Sequence, residues 1–535
     1  MLLVVVGFAA LCLREAWLDA PTYDEPVYVS AGVLGVLHHD LAFNDEHPPL
    51  PKALAALPVL AAHPIVPPGW ERVDEWGYSA RFVQAQLRFG KLRLVMFLSR
   101  LVPILEAIAI GLALYRLGSM LHGPPAGAIA GVLWLASPVT IGLGHLDGVD
   151  LPVALTAVLV SLALLRWLRR RDRGSVVMVG LACGGAVSAG PTGLLLAAVA
   201  VVVVVTSGWR GQGGQGWRAL VSGLAVTAIT VVFVWFVYAA LDASVLLQSS
   251  SVLPHPYLDG LHYLAIHDTG GESVYLFGAS WAGRRLWYWP GTLLVKIPIL
   301  TLLVLIVGPF ALRAVSRQAR REVLLVVALP ALVLAAFTIA GPQDSGIRYM
   351  LPVIALWLVA ASAIVEVTRW IPGSTVLAAI VAAAVVMSAD SFPHSIAWTT
   401  PPFTPGYEYV SHSSIDWGQD FFLLEQWSRG RRPYVSFFGT RALRDAIPGM
   451  RPLVGTSPDR IVGWVAVSAT ILTTSDPAEL SWLNSYCPVA TIGGSILIYR
   501  FRHPPGATLG PTRPANVCEG EYSRQIRTAT LAGAG

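Results

Sequence analysis

The chain has 535 residues, 55% of them hydrophobic and only 13% charged, with a net charge of +5 and a mean hydropathy of +0.61. A soluble globular chain carries about 25% charged residues, so water is not the main solvent here. The basic excess is almost all arginine in short loops, where a membrane protein wants it, and calls for no nucleic-acid partner.

Windows of about 20 apolar residues, each long enough to cross about 30 Å of hydrocarbon, recur over the first 390 positions. Met1–Trp17 reads as the first span rather than a signal peptide, because no small-residue cleavage site follows it. A polar, proline-rich stretch continues to about Arg93, with two weakly amphipathic segments suited to the membrane interface. Further apolar segments run 95–115, 125–143, 152–168, 175–189, 192–207, 219–241, 290–312, 322–340, 351–366 and 374–390. The predicted fold class is therefore a polytopic α-helical membrane protein of about 11 transmembrane helices. Spans five and six are short and are split by Ala189-Gly190-Pro191.

Charge predicts the orientation. Arg116 follows span two, Arg166 to Arg173 follow span four, and Arg210 and Arg218 follow span six. Arg313 to Arg321 follow span eight and Arg369 follows span ten. These alternate loops collect the arginines and mark the cytoplasm, which places the N-terminus inside and the C-terminus outside. The expected organisation is a transmembrane unit over 1–390 with outer loops 18–93 and 242–289. An extracytoplasmic α/β domain over 391–505 and an irregular tail over 506–535 follow. Strand-like runs Tyr434–Phe438, Ile461–Val467 and Ser495–Phe501 alternate with helical stretches such as Phe421–Trp427. Cys12 and Cys183 lie in apolar segments and read as inert. Cys487 and Cys518 lie in the outer domain, where a disulfide is chemically allowed. No CxxC or His/Cys zinc spacing occurs.

The outer loops hold the informative polar groups. Asp24 and Glu25 follow span one directly; two carboxylates at a membrane surface are either solvated, paired or used. A helix cap before Pro26 and a catalytic pair are both open readings. Asn44 to Lys52 reads as a proline-broken turn with Lys52 snorkelling to the interface. His145, Asp147 and Asp150 crowd the outer end of span three. Arg284 to Pro290 reads first as an aromatic belt, which needs no function. Lys296, inside span eight, wants an anionic partner. Arg348, followed by Tyr349, stands at the mouth of span ten with a fork suited to phosphate. Carboxylates and cations on one membrane face suit a lipid-phosphate substrate, with cations on the phosphate and a carboxylate deprotonating an attacking hydroxyl. A proton-coupled transporter would place such groups near the midplane, usually with repeat symmetry.

At these motifs the chain resembles the GT-C superfamily of polyprenyl-phosphate-sugar glycosyltransferases, and within it the bacterial members of the protein O-mannosyltransferase group, glycosyltransferase family 39. PTYDEPVYVSAG resembles that group's first-loop Asp-Glu motif, NDEHPPLPK its His-Pro-Pro-Leu-x-Lys segment, and GVDLPVAL its later Asp-x-Pro motif. VYLFGASWAGRRLWYWPGTLLVKIP, GIRYMLP and SSIDWGQDFFLLEQW are similar to further signatures of a bacterial subgroup. The resemblance spans roughly positions 20 to 440 in order.

What the resemblance implies is an inverting transferase in the cell membrane that moves a sugar, often mannose, from a polyprenyl-phosphate donor to a protein or envelope-glycan hydroxyl. It implies Asp24 as general base with Glu25 beside it, and Asp150 as a second active-site carboxylate. Lys296, Arg348 and Arg285 become phosphate-side cations. His47, Lys52, His145, Asp147, Tyr349, Asp416 and Gln419 become pocket residues. No metal or cofactor is expected, since a phosphate-linked donor does not require a divalent ion. Three departures stand out: Ser188 to Thr192 lacks a lysine that relatives often carry there, the stretch near Trp398 to Thr400 lacks their common Phe-Asn-Glu-like run, and no β-trefoil acceptor domain is visible.

Asp416 to Asp420 has two readings. Either Asp416 or Gln419 faces the sugar, or Ser414 or Asp416 caps a helix while Trp417 packs on the bundle; capping is preferred. The alternative for the whole chain is a flippase for a lipid-linked sugar that holds phosphate without transferring it.

Overall fold

The computed structural model describes residues 1–211, 216–248, 251–267, 271–342, 344–367, 373–444, 447, 449–474 and 477–505. The Cys487–Cys518 pairing and the expected tail over 506–535 therefore fall outside the described residues. The chain is a multi-pass helical membrane protein. Among the described residues, five helices are long and apolar enough to cross a membrane, at 92–122, 150–170, 216–241, 317–340 and 347–366, or six if one bent pair counts as a span. Several of the other expected spans form shorter apolar helices, including Arg173–Ala189, Gly193–Trp209 and Ile299–Arg313.

The first half runs α1 (Leu2–Leu18), α2 (Glu25–His38), α3 (Pro49–Leu60), α4 (Glu75–Arg88), α5 (Leu92–Ser99) and α6 (Leu101–His122). It continues through α7 (Pro124–Leu135), α8 (Pro138–Gly144), α9 (Asp150–Arg170), α10 (Arg173–Ala189), α11 (Gly193–Gly211) and α12 (Gly216–Leu241). Prolines start α2, α3, α7 and α8, where their missing N–H costs nothing and their fixed φ suits the first turn. The α7–α8 pair bends by 58°. Small residues let α6 and α7 approach backbone to backbone: a Cβ on Gly118 would stand 2.9 Å from the Gly127 Cα.

The stretch 18–93 holds three helices, not two interfacial segments, and α2 is buried over most of its length. Sequence hides this because α2 is built of Val, Ala, Gly and Ser, with no polar stripe to read. Those small residues have a packing purpose. A Cβ on Gly32 would sit 2.2 Å from the Lys52 carbonyl oxygen, so α3 lies directly on α2.

The loop 242–289 contributes a hairpin, β1 (Ser273–Leu276) against β2 (Ala279–Ala282). Beyond residue 430 a five-stranded sheet forms from β3 (Tyr434–Ser436), β4 (Arg451–Pro452), β5 (Gly463–Ser468), β6 (Ala490–Ile492) and β7 (Ile496–Phe501). Its order is β4-β3-β5-β7-β6, parallel over the first three strands and antiparallel over the last two pairings. β3, β5 and β7 coincide with the β-branched runs read from sequence.

Before the sheet, the segment 413–420 returns to the turn between α1 and α2. The Ala20 N–H donates to the Gln419 carbonyl at 2.8 Å, and the Tyr23 N–H donates to the Trp417 carbonyl at 2.9 Å. This strap places the C-terminal part of the chain against the entrance to α2.

Candidate active site

The turn between α1 and α2 presents Asp24 and Glu25 in opposite directions. Asp24 precedes the first residue of α2 and its side chain is 17% exposed. Arg348, from the 3-10 turn Ile347–Met350, donates Nη1 to Asp24 Oδ2 at 2.8 Å and is 12% exposed. Its Nη2 donates to the Tyr349 hydroxyl at 3.1 Å. The guanidinium lies 4.8 Å from the Tyr349 ring centroid and 4.4 Å from that of Trp417. Two aromatic faces and a carboxylate thus fix the fork, while its Nε–H has no partner among the described residues.

Asp150, the first residue of α9, lies within electrostatic reach of both Arg348 and Asp24. Tyr28, one helical turn after Asp24, senses Asp24, Arg348, Glu46 and Asp150, and its ring meets His47 at 5.5 Å. Burial raises the Asp24 carboxyl above the ordinary aspartate range, against the pull of Arg348. Asp24, Arg348 and Tyr349 therefore meet, from positions more than 300 residues apart in the Asp24–Arg348 case, with Asp150 within electrostatic reach.

His47 stands at the edge of this group. Burial, then Lys52 and Arg348, push its imidazole down to about 3, so it is neutral and its 3.4 Å approach to Glu46 is no ion pair. Lys52 does not snorkel. Its Nζ donates to the Asn44 and His47 carbonyls and to Asn44 Oδ1, which folds the 44–47 turn around an ammonium that is 5% exposed. Asn44 takes φ 59°, a left-handed conformation that asparagine tolerates well. Lys52 shapes the pocket wall, with its N–H groups already spent on that turn.

Glu25 is no part of the open group. It is 1% exposed and accepts Arg100 Nη2 at 2.6 Å and Nε at 2.8 Å, the Thr22 N–H at 2.9 Å and the Asp147 N–H at 3.0 Å. Burial pushes its carboxyl upward, but Arg100 and the two amides together hold it below the ordinary range. Arg100 also donates to the carbonyls of Ala16, Asp19 and Ala20. The pair is a brace that fixes the turn carrying Asp24. His145 and Asp147, expected in the pocket, belong to this buried layer. His145 is fully buried beside Asp19 and Glu15.

Lys296 is spent on backbone. Instead of an anionic partner it has the carbonyls of Ile396, at 2.9 Å, and Trp398. The segment after residue 393 leaves the helical ladder, and its freed carbonyls solvate the ammonium. Arg285 is exposed, with its guanidinium 4.7 Å from the Trp281 ring.

The strap brings Trp417, rather than Asp416 or Gln419, to the Arg348 guanidinium. Asp416 accepts the Thr470 N–H at 2.9 Å, and Gln419 closes its own turn on Trp417 N and Ile415 O. Neither caps the helix Phe421–Ser428, whose N-cap is Asp420. Ser414 instead accepts the Ile347 N–H at 3.1 Å, locking the strap to the Arg348 turn. Trp417 is the strap's contribution to the site. Tyr28 and Trp417 escaped the sequence reading. The one sits at i+4 from Asp24 on a helix start; the other lay inside the Asp416–Asp420 motif, assigned only to packing.

Residues 90–236, roughly a quarter of the chain, match the family model described as dolichyl-phosphate-mannose-protein mannosyltransferase. The resemblance read from the motifs is borne out over that segment, which carries Arg100, His145, Asp147 and Asp150. No curated protein sequence matches the chain. Among solved structures, ArnT from Cupriavidus metallidurans in the apo state is similar at 15% identity and TM-score 0.49, covering 95% of this chain and 98% of that one. The same protein bound to undecaprenyl phosphate is similar at 14% identity and TM-score 0.46, covering 95% and 99%.

Proposed function

We propose that the chain transfers a sugar, mannose in the first instance, from a polyprenyl-phosphate donor to a hydroxyl of a protein or envelope glycan on the outer face of the membrane. The observation that carries this reading is the convergence of Asp24, Asp150 and Arg348 beside Tyr349 and Trp417, at the end of α1 opposite the arginine-rich loops. The family model matched over residues 90–236 supports the donor class.

In this reading Asp24 takes the proton of the acceptor hydroxyl as that oxygen attacks the anomeric carbon. The bond from that carbon to the phosphate oxygen breaks, and the phosphate leaves as an anion that needs no proton. One displacement inverts the configuration, so a single base suffices. Arg348 has two tasks. With no donor bound it neutralises Asp24. An arriving phosphate competes for the same fork, assisted by the unspent Nε–H, and weakens the hold on Asp24. The carboxylate then becomes more basic when its proton acceptance is needed.

The test is transfer of radiolabelled sugar from defined polyprenyl phosphates in membranes carrying wild-type protein or Asp24→Asn. Transfer from one donor that depends on Asp24 establishes the reaction and names the sugar. Folded protein that moves lipid-linked sugar between leaflets but transfers none, with acceptor-rich extract present, establishes the flippase instead.

A further inference from the structure

Behind the brace lies a cluster that the transferase reading does not use. Glu15 and Asp19 stand one helical turn apart at the end of α1 and face His145 across the end of α8. Their relative exposures are 0%, 8% and 0%. His145 Nε2 is 3.0 Å from Asp19 Oδ2, and one ligand atom from each of the three lies within 4.8 Å of the others.

Charge in this layer does not balance. Arg100 gives its N–H groups to the Glu25 carboxylate and to three carbonyls, and none to the carboxylates of Glu15 or Asp19. Two carboxylates therefore share one imidazole in a region that excludes water, where uncompensated anions cost several kcal/mol each, on the order of a fold's whole margin.

A second observation is independent of this count. The Ser395 hydroxyl donates to Glu15 Oε1 at 2.6 Å, which fixes the carboxylate and leaves Oε2 buried with no hydrogen-bond partner. That oxygen points to the imidazole, 3.7 Å from His145 Nδ1. His145 Nδ1 is itself 2.8 Å from the Ile141 carbonyl, to which it donates. The carbonyl occupies Nδ1 and aims Nε2 at Asp19; once Nε2 gives up its proton, its lone pair faces the same point, the arrangement that orients ligating histidines generally.

We propose that Glu15, Asp19 and His145 form a buried site for a divalent transition-metal cation, zinc above others. One imidazole nitrogen and two carboxylate oxygens are a zinc-type donor set, with bonds of about 2.0–2.2 Å. Tetrahedral bonds of that length give ligand–ligand edges of about 3.3 Å, and the 3.0 Å Nε2–Oδ2 separation is close to one such edge. A water or the Ser395 hydroxyl is available for the fourth position. The ion would join the end of α1 to the end of α8, immediately behind the turn that Arg100 holds. It is remote from the transfer chemistry in role, and the proposal stands whether or not the transferase reading does.

The experiment is metal analysis of detergent-purified protein from cells grown with added zinc, alongside His145→Ala, Asp19→Asn and Asp24→Asn. Size-exclusion profiles and melting curves report folding. About one zinc per chain is expected in wild type and Asp24→Asn, falling at least about tenfold in the two site variants. Should those variants not fold, wild-type protein stripped with chelator and refilled with Co(II) provides the second measurement. A tetrahedral visible spectrum is expected, with loss of the metal lowering the melting temperature. Wild-type protein without stoichiometric metal and without a cobalt spectrum overturns the proposal and leaves a proton shared among the three groups. Equal zinc in wild type and folded His145→Ala overturns it as well.

Discussion

Two carboxylate–arginine pairs, built from adjacent residues of one turn, have opposite fates. Asp24 meets Arg348 with side chains 17% and 12% exposed, one hydrogen bond between them and an unspent guanidinium N–H. Glu25 meets Arg100 with exposures of 1% and 0%, two hydrogen bonds between them and two further amides on the carboxylate. The first pair can be opened by a ligand, because each partner retains capacity and access. The second cannot, because each bond it loses is lost to a site without water. A buried pair is not thereby a source of net stability, but removing one member strands the other charge. Chemistry needs the first kind of pair, and positioning needs the second.

The comparison breaks most decisively at Asp24. Asp24→Asn should lower transfer by about 10²–10⁴-fold, the usual contribution of a general base, with the melting temperature unchanged and donor lipid still bound. Glu25→Gln should do the reverse. Stranding Arg100 should cost about 3–5 kcal/mol, read as a large fall in thermal stability in detergent. If Glu25→Gln instead melts like wild type and is inactive, Glu25 belongs to the chemistry and the division drawn here fails.

Arg348→Lys sharpens the comparison at smaller amplitude. The ammonium keeps the charge beside Asp24 but cannot form the planar fork or lie flat between Tyr349 and Trp417. A roughly tenfold rise in KM for the donor is expected, about 1.4 kcal/mol, with kcat less affected. An unchanged KM would mean that only charge matters at this position.

The division between the two pairs was not legible in the sequence. Asp24 and Glu25 form one dipeptide, and which of them faces the open side depends on where α2 starts and on Arg100, 75 residues away. Hydropathy revealed much of the helical membrane portion, because apolar length is a local property. Runs of Val, Ile, Tyr and Phe revealed β3, β5 and β7 for the same reason. Lys296 misled because an ammonium is satisfied equally by carbonyls, and the carbonyls of Ile396 and Trp398 become free only where the chain leaves its helix. Trp417 was legible as a motif, but its contact with Arg348 depends on the strap returning to the α1–α2 turn. Local pattern does not suffice even nearby: Lys52 reads as a snorkelling cation, yet it is held by the Asn44 and His47 carbonyls, which face it only once the 44–47 turn has closed.

The smallest effect expected concerns that strap. Burial raises the Asp416 carboxyl to about 7 and that of Asp420 to about 8, both from an ordinary value of 3.8. Below the unfolded value, protonated carboxyls dominate in both states and the native state pays nothing for them. As pH rises above it, the unfolded chain releases its protons while the folded strap retains them. Stability then falls as pH rises, until pH passes the folded values. The strap should therefore be held tightest in acid and loosen through neutrality to about pH 8. Hydrogen exchange at the Ala20, Tyr23 and Thr470 amides, corrected for intrinsic rates, should show protection falling over that window. Asp420→Asn keeps the shape and an acceptor for the Ser495 hydroxyl, which donates at 2.6 Å, and should remove one group's share of the slope. Because the strap carries Trp417 to Arg348, the same window should appear as a gradual rise in donor KM. The Asp24–Arg348 pair would then be tuned from outside by protons, whereas Glu25 and Arg100, with every bond between them spent inside, would not respond.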